Sequence, residues 1–189
     1  MDSFSYVSGL ATVILALGIT RLLTGVGRLL QQRGRITLYW VHLFWVLNVF
    51  LFLLLNWWIL YRWHIQKSWN FFLLIFVLLS PIVTFLLTVL LFPEPVEAGL
   101  DLKQHFYTNR RSFFVLSTLL PVVDMIDTVL KGKEHFLAQG WIYPITIILL
   151  FVLMVVASRT DRESYHKFFA VFFLVYILAF ITTNLLVLS

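Results

Sequence analysis

The chain has 189 residues, of which 61% are hydrophobic and 12% are charged, and its formal net charge at pH 7 is +5. Soluble domains are about 25% charged and about 45–50% apolar, so this composition excludes an ordinary soluble domain and predicts an integral membrane protein. The chain has no cysteine, which excludes disulfides, thiolate metal sites and cysteine nucleophiles.

Six apolar runs each approach the ~20 residues that a helix needs to cross a hydrocarbon core ~30 Å thick. They lie at 6–29, 37–61, 70–92, 112–131, 141–158 and 168–188. The polar segments between them are too short to form a separate soluble domain. The sequence therefore predicts an all-α polytopic membrane protein, with residues 1–189 forming a single transmembrane domain that is a bundle of six helices.

The first run carries two glycines and two arginines on one helical face, at Gly18, Arg21, Gly25 and Arg28. Small residues at this spacing allow a neighbouring helix to approach closely. Arg28 is expected at the membrane interface, and Arg21 about 10 Å deeper from the helical rise. Two interpretations of Arg21 remain open: its long side chain reaches water, or it forms an ion pair inside the bundle.

Polar side chains mark one face of the second run and a milder stripe of the third. The set comprises His42, Asn48, Asn56, Ser80, Thr84 and Thr88. Because buried amides must be satisfied in lipid, the face on the second run is expected to point into the bundle or into an oligomer interface. These side chains either join helices by hydrogen bonds or line a polar pathway.

Residues 93–111 form the longest connection. Leu102, Phe106 and Phe113 recur there at near-helical spacing, so the segment is either an interfacial helix leading into the fourth run or an ordinary polar loop. Pro81 and Pro121 lie inside predicted helices and predict kinks.

Two acids, Asp124 and Asp127, lie one helical turn apart in the fourth run. An ionisable side chain at membrane depth is costly and marks a functional site by default. Asp127 has a local explanation, because it can pair with Lys131 at i,i+4. Asp124 lies deeper and is expected either to carry a proton or to meet Arg21. Ser117 and Thr128 share the helical stripe of Asp124.

The loops predict the orientation. Loops one, three and five carry nine Lys and Arg residues and loops two and four carry four, which places the odd loops in the cytoplasm and both termini outside. Five tryptophans would lie near the outer interface as an aromatic belt, namely Trp57, Trp58, Trp63, Trp69 and Trp141. The general layout resembles that of small bacterial multi-pass proteins, so we expect the bacterial inner membrane.

Chemical motifs are scarce. The chain contains no P-loop, nucleophile elbow or HExxH zinc motif. Haem would need two histidines at matched depth, and only His42 and His166 could pair, at shallow depth. We therefore expect no metal and no cofactor. Whether the chain is an enzyme stays open, although the residues favour a non-enzymatic role.

Two hypotheses of function remain. The leading one is a homo-oligomeric channel or transporter for protons or small ions, in which Asp124 is the central ionisable group and Arg21, Arg28, Asp127 and the polar faces line or gate the path. The rival is a membrane interaction module, such as an accessory subunit, sensor or effector, whose polar residues serve helix packing.

The expected partners are the lipid bilayer, further copies of the chain and anionic lipid at the cytoplasmic basic loops. Nucleic acid is not expected, because the chain has no basic arm or cluster.

Overall fold

A computed structural model describes residues 3–66, 68–94 and 96–184. Its elements are α1 (Ser3–Gln31), α2 (Trp40–Leu60), α3 (Phe71–Leu91), α4 (Leu102–Ser117), α5 (Leu119–Leu130), α6 (Lys133–Ala138), α7 (Ile142–Arg159) and α8 (Glu163–Asn184). A short 3-10 helix, Tyr61–Ile65, extends α2. Within these residues six spans are long and apolar enough to cross a membrane. The all-α polytopic fold is confirmed.

Five of the predicted runs coincide closely with these helices, and residues 185–188 of the sixth run lie outside the described residues. The fourth run differs, because α4 begins at Leu102 instead of residue 112. Asp101 caps α4 by accepting hydrogen bonds from the backbone N–H groups of Lys103 and Gln104 at 2.7 and 3.1 Å. Since Leu102, Phe106 and Phe113 are buried, this segment is a helix packed within the bundle and not a polar loop.

The fourth span, Leu102–Leu130, is broken at Thr118 into α4 and α5. Pro121 has no N–H to donate to the carbonyl four residues earlier, at Ser117, and its ring would clash with that carbonyl in a regular helix. The predicted kink at Pro121 therefore corresponds to the interruption at Thr118, where the backbone angles themselves stay helical, with φ −63° and ψ −19°. Around Pro81, by contrast, α3 continues without interruption.

Helix α2 lies at the centre of the bundle and packs against α1, α3, α4 and α8. On its inner face, the indole of Trp45 contacts four phenylalanine rings from α4 and α8 at centroid distances of 5.0–5.5 Å, namely Phe113, Phe114, Phe169 and Phe173. Gly18 of α1 faces Leu53, and a Cβ added at Gly18 would lie 3.0 Å from that side chain. The predicted close approach of another helix to α1 is therefore confirmed.

The helix ends gather into two groups, which we call the basic end and the aromatic end. The basic end comprises residues 21–39, 92–94, 96–111 and 159–167, which are the segments that join α1 to α2, α3 to α4 and α7 to α8 together with the adjoining helix ends. Two of these segments are tied together, because Thr37 N donates to Leu100 O at 3.0 Å and Gly99 N donates to Arg35 O at 2.7 Å. The aromatic end comprises residues 61–66, 68–70 and 119–141, which are the 3-10 helix, the segment that leads from it to α3, and α5 with the segment that joins it to α7. It carries Trp63, Trp69 and Trp141.

Candidate functional site

At the aromatic end, Asp127 is held on both of its oxygens. Lys131 Nζ donates to Oδ2 at 2.6 Å, and Trp63 Nε1 donates to Oδ1 at 3.1 Å. The ammonium group of Lys131 also lies 5.1 Å from the centre of a Trp63 ring, within reach of a cation–π interaction. The local i,i+4 pairing of Asp127 with Lys131 is confirmed. The tryptophan that completes the cluster comes from the 3-10 helix, which spacing within the fourth run could not reveal.

Asp124 lies near the same end and has a different partner. Tyr143 Oη donates to Asp124 Oδ2 at 2.9 Å and lies 2.7 Å from the Thr128 hydroxyl, from which it can accept. Since Tyr143 belongs to the first turn of α7, it places the carboxyl group of Asp124 towards the aromatic end of the bundle. No sequence signal pointed to Tyr143, because 19 residues separate it from Asp124.

Arg21 forms its ion pair at the opposite end. Arg21 Nη1 lies 2.6 Å from Glu94 Oε2, and Nη2 donates to the carbonyl of Phe92 at 3.4 Å. The hydrogen bond from Arg21 holds the pKa of the Glu94 carboxyl below its usual range. Arg21 therefore forms an ion pair, but its partner Glu94 is 66% exposed, so the pair lies at the surface of the basic end and not inside the bundle. Of the two alternatives for Asp124, the contact with Arg21 is not formed. Arg28 adds a weaker attraction on Glu94.

Gly25 allows the segment that carries Glu94 to reach Arg21. A Cβ added at Gly25 would lie 2.3 Å from Cδ2 of Phe92, so the ring occupies the space that any side chain there would need. The Phe92 ring is buried in this notch, at 2% exposure. The start of the α3–α4 segment is thus held against α1 by Gly25, Arg21 and Glu94.

The predicted polar faces on α2 and α3 mostly join helices. Asn56 Oδ1 accepts from Ser80 Oγ at 2.5 Å, and Asn56 Nδ2 donates to Thr84 Oγ1 at 3.4 Å. Asn48 Nδ2 donates to the carbonyl of Ala170 on α8 at 3.1 Å. Thr88 and Ser117 donate instead to carbonyls of their own helices, at Phe85 and Phe113. The α2 face points into the bundle, as predicted.

His42 is the exception among these polar residues. Its side chain is buried at 1% exposure, and its ring packs against Phe92 and His105 with centroids 5.6 and 5.9 Å away. Neither ring nitrogen has a hydrogen-bond partner of normal geometry, although the carbonyl of Leu91 lies close by. His105 differs, because its Nε2 contacts the carbonyl of Leu90 at 3.1 Å and must be the donor there.

Other buried polar atoms without a partner lie in the same half of the bundle as His42. Among the described residues they include Nε of Arg21, Oε1 of Gln32, Nε1 of Trp45, Oδ1 of Asn48, Nε of Arg110 and Nδ1 of His166. Buried polar groups in proteins are nearly always hydrogen-bonded, so such a concentration requires an explanation. The sequence marks His42 and Asn48 as polar, but it does not show that Oδ1 of Asn48 and the ring nitrogens of His42 would lack a partner.

Two cavities adjoin these regions. One has a volume of about 10 Å³, lies between α2, α3 and α4, and is lined by His42, Leu90, Leu91, Phe106, Asn109, Arg110 and Phe113. The other is an open groove of about 270 Å³ lined by Phe4, Ser8, Thr12, Trp57, Trp58, Leu60 and Tyr61. Asp124 lines neither cavity. In the part of the chain that the structure describes, no three His, Asp or Glu side chains come together as a metal site would need.

Comparisons of the chain with protein-family models, with curated proteins and with solved structures give no match. The six apolar spans make the chain an integral membrane protein.

Proposed function

We propose that the protein is a membrane interaction module, an accessory, sensor or effector component whose basic end binds an anionic lipid surface. The observation that carries this proposal is the separation of charge between the two ends. Among the described residues, the basic end has ten Lys or Arg and five Asp or Glu, a net charge of +5. The aromatic end has three of each and is neutral.

The excess positive charge is exposed. Five exposed arginines at the basic end have no ion pair among the described residues, namely Arg33, Arg35, Arg111, Arg159 and Arg162. They lie on three different segments of the chain that meet at this end. Cationic side chains next to an anionic leaflet each contribute about 1 kcal/mol of attraction. A surface with this charge is complementary to anionic lipid headgroups.

The intramembrane polar groups support a structural role. Asp127 is paired with Lys131, Asp124 accepts from Tyr143, and Asn56 joins α2 to α3. Interhelical hydrogen bonds, such as those of Asp124 and Asn56, contribute about 0.6 kcal/mol each on average. Neither cavity connects Asp124 to the basic end. Within one copy, therefore, the acid that was expected to carry protons is engaged in joining α5 to α7.

Lipid binding can be measured by native mass spectrometry of the full chain released from vesicles of phosphatidylcholine and phosphatidylglycerol. We expect the wild type to retain phosphatidylglycerol selectively, and a variant with all five exposed arginines changed to glutamine to lose that selectivity. The matched control changes two cations at the aromatic end, Arg62→Gln and Lys133→Gln, and should behave as wild type. Equal retention of phosphatidylglycerol by the wild type and the five-arginine variant would contradict the proposal.

The proposal includes an orientation, with the basic end in the cytoplasm of a bacterial inner membrane and both termini outside. Because the chain has no cysteine, single cysteines can report the sidedness of each loop. Glu97→Cys at the basic end and Lys133→Cys at the aromatic end both replace exposed side chains. In intact cells a membrane-impermeant thiol reagent should label the second variant and not the first. The reverse pattern would contradict this orientation.

Transport of protons or small ions by a homo-oligomer is the second candidate, and the buried unpaired ring of His42 is the observation that favours it. The purified chain in liposomes that contain a pH-sensitive dye separates the two candidates. The interaction module predicts no proton flux above that of protein-free vesicles, and a loss of thermal stability alone in Asp124→Asn. A wild-type flux that Asp124→Asn abolishes while the fold stays intact would favour the transporter.

A further inference from the structure

The small cavity beside His42 has the size and the lining of a water site. Its volume of about 10 Å³ is near the lower limit of about 10–15 Å³ that a single water needs. A buried water also needs two to four polar partners. The lining supplies the imidazole of His42, the amide of Asn109 and the guanidinium of Arg110.

Two of these side chains carry buried polar atoms that make no hydrogen bond of normal geometry with the described residues. They are Nε of Arg110 and the two ring nitrogens of His42, although the carbonyl of Leu91 lies close to the His42 ring. Asn109 Nδ2 is already engaged, since it donates to the carbonyl of His105 at 3.1 Å. A water in the cavity can donate to one ring nitrogen of His42 and accept from Nε of Arg110, which gives a partner to Arg110 Nε and to one of the two His42 nitrogens.

Arg110 also connects the cavity to the surface. Its Nη1 donates to Asp161 Oδ1 at the basic end. The side chain of Asp161 is 81% exposed, whereas that of Arg110 is 12% exposed. One guanidinium group thus extends from the buried cavity to a carboxylate in contact with solvent.

We propose that this cavity is a hydration site, in which one water molecule accepts a hydrogen bond from Nε of Arg110 and donates one to a ring nitrogen of His42. The site is independent of the proposed function, because it requires neither lipid binding nor transport.

The test is solid-state NMR of the full chain, labelled with ¹⁵N-histidine and reconstituted in vesicles, with magnetisation transferred from water to the imidazole N–H groups. We expect magnetisation to pass from water to the His42 ring although this ring is buried. The His42 signal is assigned as the one that disappears in His42→Gln. The exposed ring of His64 serves as the positive control in the same spectrum. Transfer to His64 without transfer to His42 would overturn the proposal.

A pair of variants tests the role of Arg110. Removing one hydrogen bond from a bound water should reduce the transfer to His42 about fivefold in Arg110→Met. Arg62→Met is the control, because Arg62 is an exposed arginine at the aromatic end and lines neither cavity. Equal transfer in the two variants would overturn the role of Arg110. If Arg110→Met does not fold, the wild-type comparison of His42 with His64 still decides whether the water site exists.

Discussion

The two ends of the bundle differ in whether their buried polar side chains have hydrogen-bond partners. At the aromatic end, Asp127 is held by Lys131 and Trp63, and Asp124 accepts from Tyr143. At the basic end the core contains unpaired polar atoms, foremost the His42 ring and Nε of Arg110, beneath a surface with excess positive charge. Both acids that attract attention in the sequence therefore have hydrogen-bond partners within the protein.

The energetic cost of burying a polar group therefore differs from its capacity to bind a ligand. An intramembrane acid is expensive, and the aromatic end offsets that expense with donors from three different elements: the 3-10 helix, α5 and α7. A group whose hydrogen bonds are all made inside the protein has little capacity left for a ligand. The unpaired groups near the basic end keep that capacity, so they are the better candidates for binding water or a partner.

The largest effect is expected at the notch that holds the basic end together. In Gly25→Leu the new side chain would need the space of the Phe92 ring, where a Cβ alone lies 2.3 Å from Cδ2. Overpacking of this kind should cost about 3 kcal/mol of folding stability, measured as a lower melting temperature in lipid nanodiscs. Gly27→Leu is the control, since nothing lies within 4 Å of a Cβ there. Similar melting temperatures for both variants would show that the notch is not rigid.

A smaller loss is expected when the cluster at the aromatic end is opened. Lys131→Met removes the ammonium group from Asp127 and leaves the carboxylate with Trp63 alone. Leaving a largely buried charged group short of one partner should cost about 2 kcal/mol, seen as a lower melting temperature. Lys133→Met removes an exposed cation that has no ion pair among the described residues and should be neutral. An unchanged melting temperature in Lys131→Met would show that Lys131 does not stabilise the buried carboxylate of Asp127.

The smallest effect concerns the ion pair of Glu94, which is exposed to solvent. Because Arg21 lowers the pKa of Glu94 below its ordinary value of 4.5, the pair stabilises the fold above that pH and its contribution disappears as the pH falls through the lowered pKa. Glu94→Gln should therefore melt slightly below the wild type at neutral pH, and the difference should vanish in acid. Glu97→Gln, which alters an exposed acid on the same segment, should show no such convergence. A constant difference at all pH values would assign the effect to packing.

Local patterns carried much of the prediction. The length of the apolar runs predicted the six spans, the i,i+4 spacing predicted the pair of Asp127 with Lys131, and Gly18 predicted a close helix approach. The start of α4 was missed because polar residues at 103–111 resemble a loop, whereas burial of Leu102 and Phe106 stabilises a helix there. The partner of Arg21 was missed because Glu94 is 73 residues away, in a segment without periodicity.

By itself, the sequence determined what depends on composition and on neighbours along one helix: a membrane protein, its spans, its separation of charge and the pairing of Asp127. Hydrophobic length and the helical repeat are properties of a single segment, so they can be read from that segment alone. Only the tertiary structure decided that Asp124 meets Tyr143, that Arg21 meets Glu94 and that His42 stays unpaired beside a cavity. Each of these depends on which helices pack together and at what depth, and the bundle as a whole fixes both.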